Sequence, residues 1–260
     1  MRRAPTLTLA PALALLVLLA ACGRAPGLDR LASGETGRVA EIRSGDALVL
    51  DNGLAVRLAG VEAPKDDAPY AAQSRDTLRR LVDGRRVRLL YGGARRDRYG
   101  RALAQVKLSK GGAWVEEALL RAGAVRARTW ADNRAVAGEM LEAEAWARNR
   151  KKGLWALPAY KVLVPWETAN AFGFQIVEGR VRRTGQTAEG PSLDFADVPG
   201  PGFTAQIPAD ALAGFKTAGK APDQLRGLLL RVRGPISSGY DGPVMRLDHP
   251  EQIEILKQKD

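Results

Sequence analysis

The chain has 260 residues, 45% hydrophobic and 27% charged, enough for one large or two small domains with proper cores, which excludes a disordered or fibrous protein. Its 40 basic against 29 acidic residues leave a formal charge of +11, and a surface of that sign attracts polyanions such as nucleic acid or acidic lipid. One cysteine and one histidine exclude an internal disulfide, a cysteine-based zinc site and a histidine cluster. The excess is uneven: residues 1–32 hold 4 basic and 1 acidic residue, 33–156 hold 24 and 16, and 157–260 hold 12 and 12. A polyanion site therefore belongs in the middle segment.

The chain opens with Arg2-Arg3, an apolar run from Leu7 to Ala21, and then Leu19-Ala20-Ala21-Cys22-Gly23. A positive start, a short apolar stretch and small residues before a cut mark an export signal, and the run is short for a membrane-spanning helix. The Leu-Ala-Ala-Cys piece is similar to the lipobox of bacterial lipoproteins, which implies cleavage before Cys22 and its lipidation. The expected layout is a signal peptide over 1–22, a linker over 23–35, and an exported protein held at the cell envelope by a lipid anchor.

Gly37–Ile42 and Ala47–Leu50 alternate as strands, and Asp51-Asn52-Gly53 turns the chain into Leu54–Leu58, a three-stranded meander. Ser74, Leu78 and Leu81 recur at helical spacing with Gly84 placed to stop the helix, and Arg86–Leu90 returns to a strand pattern. Arg101–Leu108 predicts another strand, turned by Gly111-Gly112 into a helix around Trp114–Arg121. In a last helix Val136, Met140, Ala143 and Ala147 line one face, Asp132 or Asn133 supplies the cap and Gly153 the stop. The order suits a small closed barrel with helices packed against it.

Four stretches in this segment, in order, carry a resemblance: Ser44-Gly45-Asp46; Val56-Arg57-Leu58-Ala59-Gly60-Val61-Glu62-Ala63-Pro64; Asp97-Arg98-Tyr99-Gly100-Arg101-Ala102-Leu103-Ala104; and Glu117-Ala118-Leu119-Leu120-Arg121-Ala122-Gly123. Together they resemble the thermonuclease (staphylococcal-nuclease-like) family from about Gly37 to Trp155. The resemblance implies an α+β fold over 36–156, an OB-type five-stranded barrel with three helices. It also implies a Ca²⁺ cofactor, one nucleic-acid strand (DNA or RNA) as partner, and attack on a phosphodiester by an activated water.

A phosphorane-like transition state wants cations on its equatorial oxygens, and guanidinium forks supply them. Arg57 and Arg101 fall on the family's two catalytic arginine positions, the lesser alternative being an ordinary surface ion pair with Asp46 or Glu62. Asp46, Glu62 and the carbonyl of Ala63 fall on its metal-site positions, Glu62 replacing the usual Asp. Lys65, just past Pro64, stands where the family places the glutamate assigned as general base. A charged ammonium cannot take a proton from water, and it repels a cation. Three outcomes follow: a loop adjustment brings in Asp66 or Asp67, Lys65 titrates low enough to act as base, or the ammonium fills the metal position and leaves a metal-free binding cleft. Arg98 and Tyr99 fall on phosphate-contacting positions, and Trp130 with Arg126 and Arg128 either stacks a base or caps the last helix.

Beyond Trp155 the Pro-punctuated stretch 157–171 reads as a linker. Phe174–Val181, Ser192–Ala196, Leu228–Gly234 and Val244–Leu247 read as strands around a helical insert, a second small β-rich domain over 172–260, faintly OB-like or a protein-contact module. His249, before Pro250, reads as a turn residue. The leading expectation is an exported Ca²⁺-dependent phosphodiesterase, with a catalytically degenerate binding lipoprotein and an envelope scaffold as alternatives.

Overall fold

The computed structural model describes residues 27–196, 202–239 and 242–257. The expected meander is present as β1 (Ala32–Ser44), β2 (Ala47–Leu50) and β3 (Ala55–Leu58), followed by the short β4 (Val61–Glu62) and helix α1 (Ala71–Val82). Next come β5 (Arg86–Tyr91), β6 (Ala102–Leu108), α2 (Val115–Arg121), β7 (Arg126–Ala127) and α3 (Ala137–Asn149). The strands close into a five-stranded barrel in the order β1-β2-β3-β6-β5, as an OB-type α+β fold requires. Closure depends on β1, whose register shifts between Val39 and Glu41 and between Ile42 and Ser44 bend it. Its first half pairs with β5 and its second half with β2.

The core follows from the sequence alternation. Val87, Leu89, Val106 and Leu108 point inward from β5 and β6, and Val56 and Leu58 from β3, all buried. In α1 the inner face is Ser74, Leu78 and Val82; Leu81 packs only partly, because Val82 takes the last inward position. The expected cap of α3 is not made: the helix starts at Ala137 with Val136 before it and no side-chain cap. Asn133 instead closes a turn on Trp130 through its own N–H, at 2.9 Å, which spends 130–136 on irregular chain. Gly153 lies beyond the helix end, where a Cβ would come within 2.3 Å of the Gly123 carbonyl, so it serves a close backbone approach.

The second half carries β8 (Gly173–Arg180), β9 (Arg183–Thr187), β10 (Gly190–Asp194), β11 (Thr204–Gln206), α4 (Leu212–Thr217), α5 (Pro222–Leu225), β12 (Leu229–Gly239), β13 (Gly242–Arg246) and β14 (Ile253–Ile255). Among the described residues these strands form one seven-stranded sheet, β14-β12-β13-β11-β10-β9 with β8 on β12. It shares a core with the barrel half: Ala147, Leu154 and Trp155 pack with Tyr160, Phe174 and Ile176. Arg233 of β12 is buried between Glu144 of α3, at 2.8 Å, and Glu254 of β14, at 2.5 Å, and donates to the Ala127 carbonyl at 3.1 Å. His249 is not on an open turn. It is buried against Thr129 at 3.4 Å and Glu251 at 3.1 Å, because the 3-10 turn that it opens is pressed onto the barrel half.

Candidate functional site

Asp46 sits at the turn from β1 to β2 and is fully buried. Its Oδ2 accepts the Ala63 N–H at 2.8 Å and faces Arg57 Nη1 at 3.0 Å. Its Oδ1 accepts the Ser44 hydroxyl at 2.7 Å and is ion-paired with the Lys65 ammonium. Four donors thus consume both oxygens. Burial alone would push this carboxyl up, but the charges of Arg57 and Lys65, with the Ala63 N–H, hold it below the ordinary range.

Arg57 leaves the central β3, in register with Ala47 of β2 and Leu103 of β6. Its guanidinium donates to the carbonyls of Asp46 at 3.2 Å, Leu58 at 3.1 Å and Val61 at 2.9 Å, so it is pinned before any ligand arrives. Burial pulls its pKa down from the usual guanidinium range, Asp46 and Glu62 oppose that pull, and the positive charges of Arg101 and Arg128 reinforce it. Those two guanidinium groups therefore belong to the same electrostatic cluster.

Arg101 immediately precedes β6, with its side chain a third exposed. Its Nε meets Asp97 Oδ2 at 2.7 Å, while Asp97 Oδ1 accepts the N–H groups of Arg101 at 3.0 Å and Tyr99 at 2.9 Å. Asp97 is the site residue that sequence reasoning missed; its signal was the tight Asp-x-x-x-Arg spacing across a Gly turn. Tyr99 is 69% exposed, with Arg98 at 4.9 Å and Arg101 at 5.5 Å from its ring.

Glu62 does not join Asp46. β4 pairs with β7, with Glu62 opposite Arg126, and the carboxylate lies against Arg128 and, at 3.4 Å, Arg126. Arg126 in turn donates to the Phe174 carbonyl at 3.0 Å, and Arg128 lies 4.5 Å from the ring of Trp130, which is 44% exposed. Trp130 is thus placed on an open face beside the arginines.

These residues do not fit a calcium ion. Ca²⁺ needs several free oxygens, whereas Asp46 is saturated, with the Lys65 ammonium among its partners, and Glu62 is held by two arginines. Among the described residues no three acidic, histidine or cysteine side chains converge. Nor does a substitute base appear. Asp66, with a left-handed φ of 49°, lines a cavity of about 230 Å³ on the α1 side of Lys65, and Asp67 is exposed. Cys22, the expected lipidation site, lies outside the described residues.

Comparison with known proteins gives these features a context. Residues 55–157 match the model of the staphylococcal nuclease homologue family. An uncharacterized endonuclease of Escherichia coli O157:H7 is 36% identical over 124 residues, 46% of this chain and 76% of the relative. The thermonuclease of Staphylococcus hyicus is 29% identical over 134 residues, 48% of this chain and 78% of that one. A staphylococcal-like nuclease of Arabidopsis thaliana is 31% identical over 119 residues, 46% of this chain, but this match spans only about a third (34%) of the plant protein. With the barrel order, the helices and the arginine positions, these matches show that the chain belongs to the staphylococcal nuclease homologue family.

Proposed function

We propose that the protein engages nucleic acid through the phosphodiester backbone, in the cleft of Arg57, Arg101, Arg98, Tyr99 and Lys65, and that it binds the strand without calcium-dependent cleavage. The observation that carries this reading is the Lys65 ammonium on Asp46, which puts a fixed cation on the buried carboxylate of the metal-site positions. Arg57 offers a pre-pinned charge, and binding to a rigid donor saves the entropy of ordering it. Arg101 can exchange Asp97 for phosphate because it is partly exposed and held by one carboxylate only. Tyr99 and Trp130 present open rings on which a base can stack whatever its identity. The positions of Arg57 and Arg101, with the names of the relatives, support a second reading, hydrolysis of the bound phosphodiester. A place at the cell envelope, through lipid on Cys22, belongs to the same proposal and rests on the leader sequence.

The test incubates the full chain with single-stranded DNA, duplex DNA and RNA, in Ca²⁺ or in EDTA. The expected result is binding that weakens steeply with salt, is the same in both media, and drops on Arg101→Ala. Cleavage that requires both Ca²⁺ and Arg57 overturns the binding-only reading in favour of the hydrolytic one.

A further inference from the structure

The barrel carries a second basic surface away from the cleft, on the outer face of β1, β5 and β6. Arg86 and Arg88 are the outward residues of β5, which alternates exposed and buried along that stretch. Arg86 stands directly opposite Arg38 of β1, and Arg88 directly opposite Lys107 of β6. Arg85 and Lys110 extend the patch through the adjoining turns, and with Arg38 and Arg86 they line a concavity of about 460 Å³. Among the described residues none of these six side chains has a carboxylate partner. The Arg38 guanidinium donates to the Gly84 carbonyl at 2.6 Å, Arg88 to the Ser33 hydroxyl at 3.4 Å, and Asp51 accepts only the Arg38 backbone N–H, at 3.1 Å.

Like charges directly across a strand pair destabilise it, since the Cβ atoms are only about 5 Å apart. Cations on a strand often guard an open sheet edge, but this barrel is a closed ring and has no edge there to guard. Two unneutralised like-charge pairs in one register are therefore a standing cost that a polyanion would relieve. The concave shape favours a narrow chain of phosphates over a planar bilayer, and none of the large exposed apolar side chains lies on these strands to enter a membrane.

We propose that this face is a second binding surface for the backbone of the same nucleic acid, engaging strands long enough to run from the cleft around the barrel. The proposal rests on the reading that the cleft binds nucleic acid. Its test therefore compares strands that can fill only the cleft, about six nucleotides, with strands of about thirty. The face variant is Arg86→Gln/Arg88→Gln/Lys107→Gln, with Arg85→Gln/Lys110→Gln in the turns as a second, independent one, both in the full chain. Relief of the like-charge pairs predicts that the triple variant melts no lower than the parent. The expected result is unchanged affinity for the short strand and, for the long strand, a loss on the order of tenfold with the slope of log K against log salt shallower by about 2. Unchanged long-strand binding in both variants overturns the second surface and leaves the cleft reading standing. Equal weakening for short and long strands overturns its separateness from the cleft. A parent that binds neither strand overturns both readings. Loss of binding to phosphatidylglycerol vesicles with nucleic-acid binding intact replaces the occupant by a membrane.

Discussion

Lys65→Glu reverses the charge beside Asp46 and leaves its Oδ1 with the Ser44 hydroxyl alone, so it replaces the cation on that carboxylate by a second acidic group. The expected outcome is a gain of about tenfold or more in affinity for a hard cation, read by terbium luminescence or calcium titration, with a melting point that falls without the cation and recovers with it. No gain in affinity would show that Arg57 and the two arginines on Glu62 exclude the cation by themselves. Asp46, Arg57, Arg101 and the departure at Lys65 were legible as residues in the sequence, since each sits in a short motif with its own spacing. Their partners were not: that Arg101 is held by Asp97, and that Glu62 turns to Arg126 and Arg128, are consequences of where a turn and a two-residue strand pairing place them.

Helix α2 shows what an element inherits from its neighbours. Glu116, in its first turn, is fully buried and takes the Val106 N–H of β6 on both oxygens, at 3.1 and 3.0 Å. Burial pushes its pKa up from 4.5 to about 8, the hydrogen bonds opposing that only in part. Between those two values the folded protein holds a proton that the unfolded chain has released. Stability should therefore fall as pH rises through this window, by an amount on the order of a few kcal/mol, and Glu116→Gln should flatten the dependence. Denaturant titrations at about pH 5 and about pH 9 decide it, and a parent as stable at the higher pH would refute the buried neutral carboxyl. The helix itself was readable from its apolar spacing, whereas the burial of a glutamate in its first turn was not, because a charged residue there normally faces solvent.

Across the whole molecule the decisive contact is Arg233, fully buried among Glu144, Glu254 and the Ala127 carbonyl, where the sheet of the second half meets the barrel. Glu144 also accepts the Ala127 N–H at 2.8 Å, so the segment that carries Arg126 and Arg128 is clamped from both halves. Arg233→Met removes the fully buried cation that Glu144 and Glu254 share and leaves them only Arg148 and Arg231, which should cost up to about 3–5 kcal/mol. Because the two halves share a core, near-UV and far-UV signals should still lose structure in one coincident transition, and two separated transitions would show that the halves fold independently. The single histidine illustrates the same limit, since a polar-looking turn before a proline became a buried contact once the second half docked. What the sequence by itself determined is the barrel, its helices, the family and the cationic identity of the cleft, because strand alternation, helical spacing and turn residues act over a few neighbours. Only the tertiary structure decided which charges meet: the Lys65–Asp46 pair, the diversion of Glu62, the like-charge register of β1, β5 and β6, and the buried Arg233. Those pairings join residues distant in the chain, and burial rather than local pattern sets their energies.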